Sequence, residues 1–123
     1  MKCTILDWSD RPQPLSSEMQ GAAYGTRTSL IFNHLQQDGE GAALHRHPYA
    51  ETFVIRRGQV MFTDGRSNTV ARAGQIVIVA PQVPHAFRAI GGEPVEMLDI
   101  HDNGRFVTEW LSSPPNPFHG KDQ

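Results

Sequence analysis

The sequence predicts an all-β fold, a sandwich or barrel, on three observations. Glycine-marked turns recur at short intervals, at Gly39 and Gly41, Gly58, Gly65, Gly74, Gly91 and Gly92, and Gly104. Between them lie short runs rich in β-branched and aromatic residues. No window sustains a 3.6-residue apolar period long enough for a competing helix.

The strand-like runs, in order, are "RTSLIFNHL", "ETFVIRR", "QVMFT", "NTVARA", "QIVIVA", "HAFRAI", "VEMLDIH" and "RFVTEWL", with "ALHRH" read as extended. "TDGR" at 63–66 places an Asp-Gly pair between two of them, which is a hairpin signal. Pro81, Pro84 and Pro94 fall at strand ends, where a missing N–H does least harm. "DRPQPLSSEMQG" and "SSPPNPFHGKDQ" are rich in proline, serine and polar residues. The expected organisation is therefore an N-terminal strand ("CTILDW") and irregular connector over 1–21, a barrel over 22–111, and a loose tail over 112–123.

A chain of 123 residues suits one domain with one core. Its net charge of −2 leaves no basic stripe for phosphates, so nucleic acid is not an expected partner. No stretch approaches the ~20 apolar residues of a membrane span, and no signal-like apolar run follows the N-terminus. A cytoplasmic location is expected. The single cysteine, Cys3, has no partner for an internal disulfide.

The chemistry concentrates in "GEGAALHRHPYAETFVIRRG" at 39–58. Residues two apart on a strand share a face, so His45 and His47 project together, and Glu51 has the same parity. His85 follows the proline-bounded turn "PQVP". Three neutral imidazoles and a carboxylate make a site for a divalent transition metal (Fe, Mn, Ni, Zn, Co or Cu), with positions left for water or substrate. By parity Phe53, Ile55 and Phe87 line an apolar substrate pocket, or else serve as plain core packing; Tyr49 and Arg46 face outward or cap the mouth. His101 is in phase with Met97 and Asp99, and either reaches the pocket as a proton shuttle or substrate contact, or is hydrogen-bonded near the "DNG" turn. The register of His34 stays open. His119 lies in the polar tail.

From Gly39 the chain reads glycine, five residues, His45-x-His47, three residues, Glu51, six residues, Gly58. That spacing resembles the first motif of the cupin superfamily at each specified position. The second cupin motif is met by Gly74 and His85, but Pro81 comes one residue late, Gln82 replaces the inner glycine and Ala89 replaces the asparagine. Over about residues 25–110 the chain thus resembles a small single-domain cupin. The resemblance implies a double-stranded β-helix, or jelly roll, with His45, His47, Glu51 and His85 as metal ligands inside the barrel. It also implies a homodimer, for which "CTILDW" and "RFVTEWL" are the candidate pairing segments. The expected function is a metal-dependent, dioxygenase-like enzyme acting on a small chelating molecule, with Glu51 and His101 as catalytic candidates. The alternatives are a non-catalytic module that binds or senses a small ligand or metal, and a sugar isomerase or epimerase.

Overall fold

A computed structural model describes residues 3–8 and 17–111. Ten strands are found there: β1 (Ser17–Met19), β2 (Ser29–Leu35), β3 (Gly41–Arg46), β4 (Glu51–Arg57), β5 (Gln59–Thr63), β6 (Asn68–Arg72), β7 (Ile76–Val79), β8 (His85–Ile90), β9 (Val95–His101) and β10 (Glu109–Trp110). They form two five-stranded antiparallel sheets, ordered β1-β2-β9-β4-β7 and β10-β3-β8-β5-β6. This is the expected jelly roll. From β2 onward successive strands alternate between the sheets except at the β5–β6 hairpin, so residues distant in sequence meet across the interior.

Alternation along each strand builds the core. On β4 Glu51, Phe53 and Ile55 turn inward, and on β9 Val95, Met97, Asp99 and His101 do the same. Phe53, Phe62 and Phe87 meet edge-on or tilted with centroids 5.0 to 5.8 Å apart. Each fully buried side chain of this kind contributes about 1.5–3 kcal/mol. The apolar cluster fills one end of the sandwich and leaves the polar inward positions at the other. The "TDGR" hairpin joins β5 to β6, with Thr63 opposite Asn68 and the Asp64 carboxylate accepting from the Arg66 and Ser67 N–H groups.

The ends of the chain differ from expectation. Residues 3–8 form no strand; Trp8 stacks on Phe32 at 4.5 Å, while Ile5 stays exposed. The edge they were expected to extend is taken by β1, which lies within the segment read as irregular and pairs Ser17 with Phe32 and Met19 with Leu30. "RFVTEWL" is strand only at Glu109–Trp110, which pair with Arg46 and His45. Its earlier backbone groups serve side chains instead: Phe106 N–H donates to Gln20 and Val107 N–H to the Tyr49 hydroxyl. The tail at 112–123 lies outside the described residues.

Candidate metal centre

A β-bulge sets the site. Between β3 and β8, Ala42 faces Phe87 and His45 faces His85, so three steps on β3 match two on β8. The extra residue shifts the phase of β3, and both Ala42 and His45 reach the interior. His47 continues the new phase just past the strand end. From the other sheet, Glu51 opens β4 directly opposite His101 at the close of β9. Ligand atoms of His45, His47, Glu51 and His85 all lie within 4.8 Å of one another, and all four residues are buried.

Each of the three imidazoles is anchored from behind. Nδ1 of His45 donates to the Ala43 carbonyl at 2.6 Å, that of His47 to Val107 at 2.8 Å, and that of His85 to Val83 at 3.0 Å. A carbonyl only accepts, so Nδ1 carries the hydrogen and Nε2 of the neutral ring presents its lone pair inward. Nε2 of both His47 and His85 lies 3.1 Å from Glu51 Oε1. A lone pair facing a carboxylate oxygen at that distance requires a proton or a cation between them. The buried Nε2 of His47 has no aligned hydrogen bond. Orientation of ligand histidines by outer hydrogen bonds is the usual arrangement of a metal site, so these residues fit a divalent ion.

Electrostatics agree. Burial lowers the His45 pKa to about 4 against the pull of the Ala43 carbonyl, keeping the ring neutral at pH 7. Burial alone would raise the Glu51 pKa, but the imidazoles of His101, His47 and His85 outweigh it and hold the carboxylate ionised. Burial lowers the His47 pKa too; there the Glu51 carboxylate prevails and the net shift is upward.

Four further side chains complete the interior. Tyr49, expected at the surface or the mouth, is buried: its ring stacks on His47 at 5.0 Å and its hydroxyl lies 2.7 Å from His101 Nδ1. Extending the odd-numbered parity of His45, His47 and Glu51 through position 49 would have placed it. His101 Nε2 lies 3.0 Å from Glu51 Oε2. Asn33, rather than His34, points inward and donates through Nδ2 to Asp99 Oδ2 at 2.7 Å. Burial first, then the Glu51 charge, push the Asp99 carboxyl well above the usual carboxylate range against that hydrogen bond. Arg46 faces out and pairs with Glu109 at 2.8 Å.

These groups line a cavity of about 380 Å³ walled by Ile31, Ala42, Phe87, Phe106 and Trp110. Of the three expected pocket residues, Phe87 is on the wall. Phe53 and Ile55 are not: both lie deeper in the apolar cluster, Phe53 edge-on to His85 at 5.9 Å, because the site occupies the strand ends and they sit farther along β4. The wall is also more polar than expected, since Asn33, Asp99 and His101 join it. Among the described residues no arginine or lysine lines it, while Glu18, Glu51 and Asp99 do.

Residues 33–101 match the family described as the Cupin domain. Among solved structures, an uncharacterized conserved protein from Klebsiella pneumoniae with a double-stranded β-helix domain is 20% identical, with a TM-score of 0.70 over 88% of this chain and 86% of that one. A cupin-like protein from Thermotoga maritima is 20% identical, with a TM-score of 0.70 over 80% of this chain and 75% of its own. An oxalate decarboxylase from Lactobacillus farciminis is 18% identical, with a TM-score of 0.66 over 78% of this chain but 30% of that longer one. These likenesses establish the double-stranded β-helix fold. No curated protein matches the chain. Among the described residues no helix is long and apolar enough to cross a membrane.

Proposed function

The chain belongs to the cupin family, and from that premise we propose that it is a metal-dependent, dioxygenase-like enzyme acting on a small, uncharged, oxygen-chelating organic molecule. The observation that carries this reading is the set of three backbone-anchored imidazoles and one carboxylate beside a partly aromatic-walled cavity. His45, His47, His85 and Glu51 would hold the ion. A redox-active divalent ion such as iron or manganese, bound there, supplies Lewis acidity toward a chelating oxygen and electrons for dioxygen chemistry.

The chain's own residues account for the rest. Phe87, Phe106 and Trp110 offer apolar surface to a flat ring and exclude water from it. Glu51 and His101, 3.0 Å apart, can take up and return a substrate proton. With acidic groups and no arginine or lysine on the described wall, a second carboxylate on the substrate would find no counter-charge, which favours phenols, flavonols and diketones over small dianions.

The test is anaerobic reconstitution with Fe(II) or Mn(II), followed by oxygen-uptake assays against catechols, flavonols and β-diketones. Uptake that requires the metal and disappears in His47→Ala supports the enzyme. Metal binding without uptake for any class would instead favour the non-catalytic binding module, and failure to bind metal would overturn both.

A further inference from the structure

We propose that the cavity contains a second cation position, formed by Asp99, His101 and Oε2 of Glu51, adjoining the four-ligand site and sharing Glu51 with it. The inference rests on the metal-binding reading above and extends it to a paired centre. Ligand atoms of Glu51, Asp99 and His101 lie within 4.8 Å of one another, and each residue is 2% exposed.

Two inner atoms of this group are left over. Asp99 Oδ1 and His101 Nε2 are buried and make no aligned hydrogen bond. Their outer atoms are both tied down. Asn33 Nδ2 holds Asp99 Oδ2 at 2.7 Å, which leaves Oδ1 as the unengaged oxygen of a residue that lines the cavity. The Tyr49 hydroxyl holds His101 Nδ1 at 2.7 Å. That oxygen accepts the Val107 N–H at 3.2 Å and has a second lone pair that can accept an Nδ1–H, the tautomer in which Nε2 offers its lone pair to an ion. The arrangement repeats the logic of the first site, where anchored Nδ1 atoms turn Nε2 inward.

Glu51 divides between the two groups. Oε1 faces His47 and His85, and Oε2 faces His101. A carboxylate so placed would be able to serve two ions, as in paired-metal sites. Charge points the same way: Glu51 and Asp99 share one cavity with no lysine or arginine on its described wall, and a second cation would offset the cost of burying a second carboxylate there. One nitrogen and two carboxylate oxygens suit manganese, iron or zinc.

The experiment is Mn(II) titration of the metal-free full-length chain, read by elemental analysis after desalting and by electron paramagnetic resonance. Two ions per chain with an exchange-coupled signal are expected in the wild type, falling to one uncoupled ion in Asp99→Asn and in His101→Gln. A wild type that saturates at one ion would overturn the second position and leave the four-ligand site standing. No bound ion at all would overturn both. Retention of two coupled ions in both variants would also overturn the assignment, and circular dichroism checks that each variant is folded; if one is not, the wild-type stoichiometry and the other variant decide.

Discussion

Gln82 donates its backbone N–H to the His47 carbonyl at 2.7 Å while its own backbone sits at φ 66°, in the left-handed region. The position at which the cupin motif has its inner glycine therefore adopts a conformation that favours glycine, with a side chain that resists it. Non-glycine residues pay roughly 1–2 kcal/mol there, and glycine returns part of that as unfolded-state entropy. Gln82→Gly is expected to raise stability by about 0.5–1 kcal/mol, seen as a higher urea midpoint at unchanged slope. A lower midpoint would mean that the glutamine side chain makes a contact worth more than the strain.

The His47 imidazole is held between the Val107 carbonyl and Glu51, and loss of the ring removes a ligand outright. Outer-sphere partners alone change metal affinity by about 10–100-fold, so His47→Ala is expected to weaken binding by more than about 100-fold. Ligand at 100 times its Kd stabilises the folded state by about 2.7 kcal/mol, so the wild type should gain several degrees in Tm on metal addition. The variant should gain little at the same metal concentration.

The metal-free protein should lose stability on mild acidification through His45. Its folded pKa is lowered from 6.5 to about 4, so below pH 6.5 the unfolded chain binds a proton that the folded chain refuses. Stability from this group is full above pH 6.5, falls as pH drops toward 4, and changes no further below. The shift corresponds to at most about 3 kcal/mol. Urea unfolding between pH 7 and 4 should show a shallower decline in His45→Gln than in the wild type; equal slopes would refute the assignment. Metal affinity should weaken in the same range, since ligand imidazoles must be unprotonated.

Tyr49 ties three parts of the site together through one hydroxyl, which meets His101 Nδ1 and the Val107 N–H. Tyr49→Phe keeps the ring stacked on His47 and strands the buried Nδ1 of His101 and the part-buried Val107 N–H. A loss of about 1–3 kcal/mol in chemical denaturation is expected. Near-zero loss would mean that water replaces the hydroxyl.

Much of this was readable from residue order. "ETFVIRR", "QVMFT", "HAFRAI" and "VEMLDIH" coincide with β4, β5, β8 and β9, because alternation and turn residues are local signals. The spacing of His45, His47 and Glu51 between Gly39 and Gly58 located the histidine and glutamate cluster, and Gly58 shows why such glycines matter: at φ 85° a Cβ would lie 2.6 Å from the Pro94 carbonyl oxygen. The strand edge at β1, the inward turn of Asn33 and the burial of Tyr49 were not readable in the same way, since each depends on a partner elsewhere in the chain.

The sequence by itself determined the β-sheet class, the cupin family and the four residues that gather around one point, since strand periodicity and fixed spacing are properties of neighbouring positions. Only the tertiary structure decided that a bulge in β3 turns His45 inward, that Phe53 and Ile55 serve the core, and that Asn33, Asp99 and His101 make half the cavity polar. Those outcomes depend on register between strands far apart in the chain, as for Asn33 and Asp99, 66 positions apart, where one residue of slip exchanges the inner face for the outer.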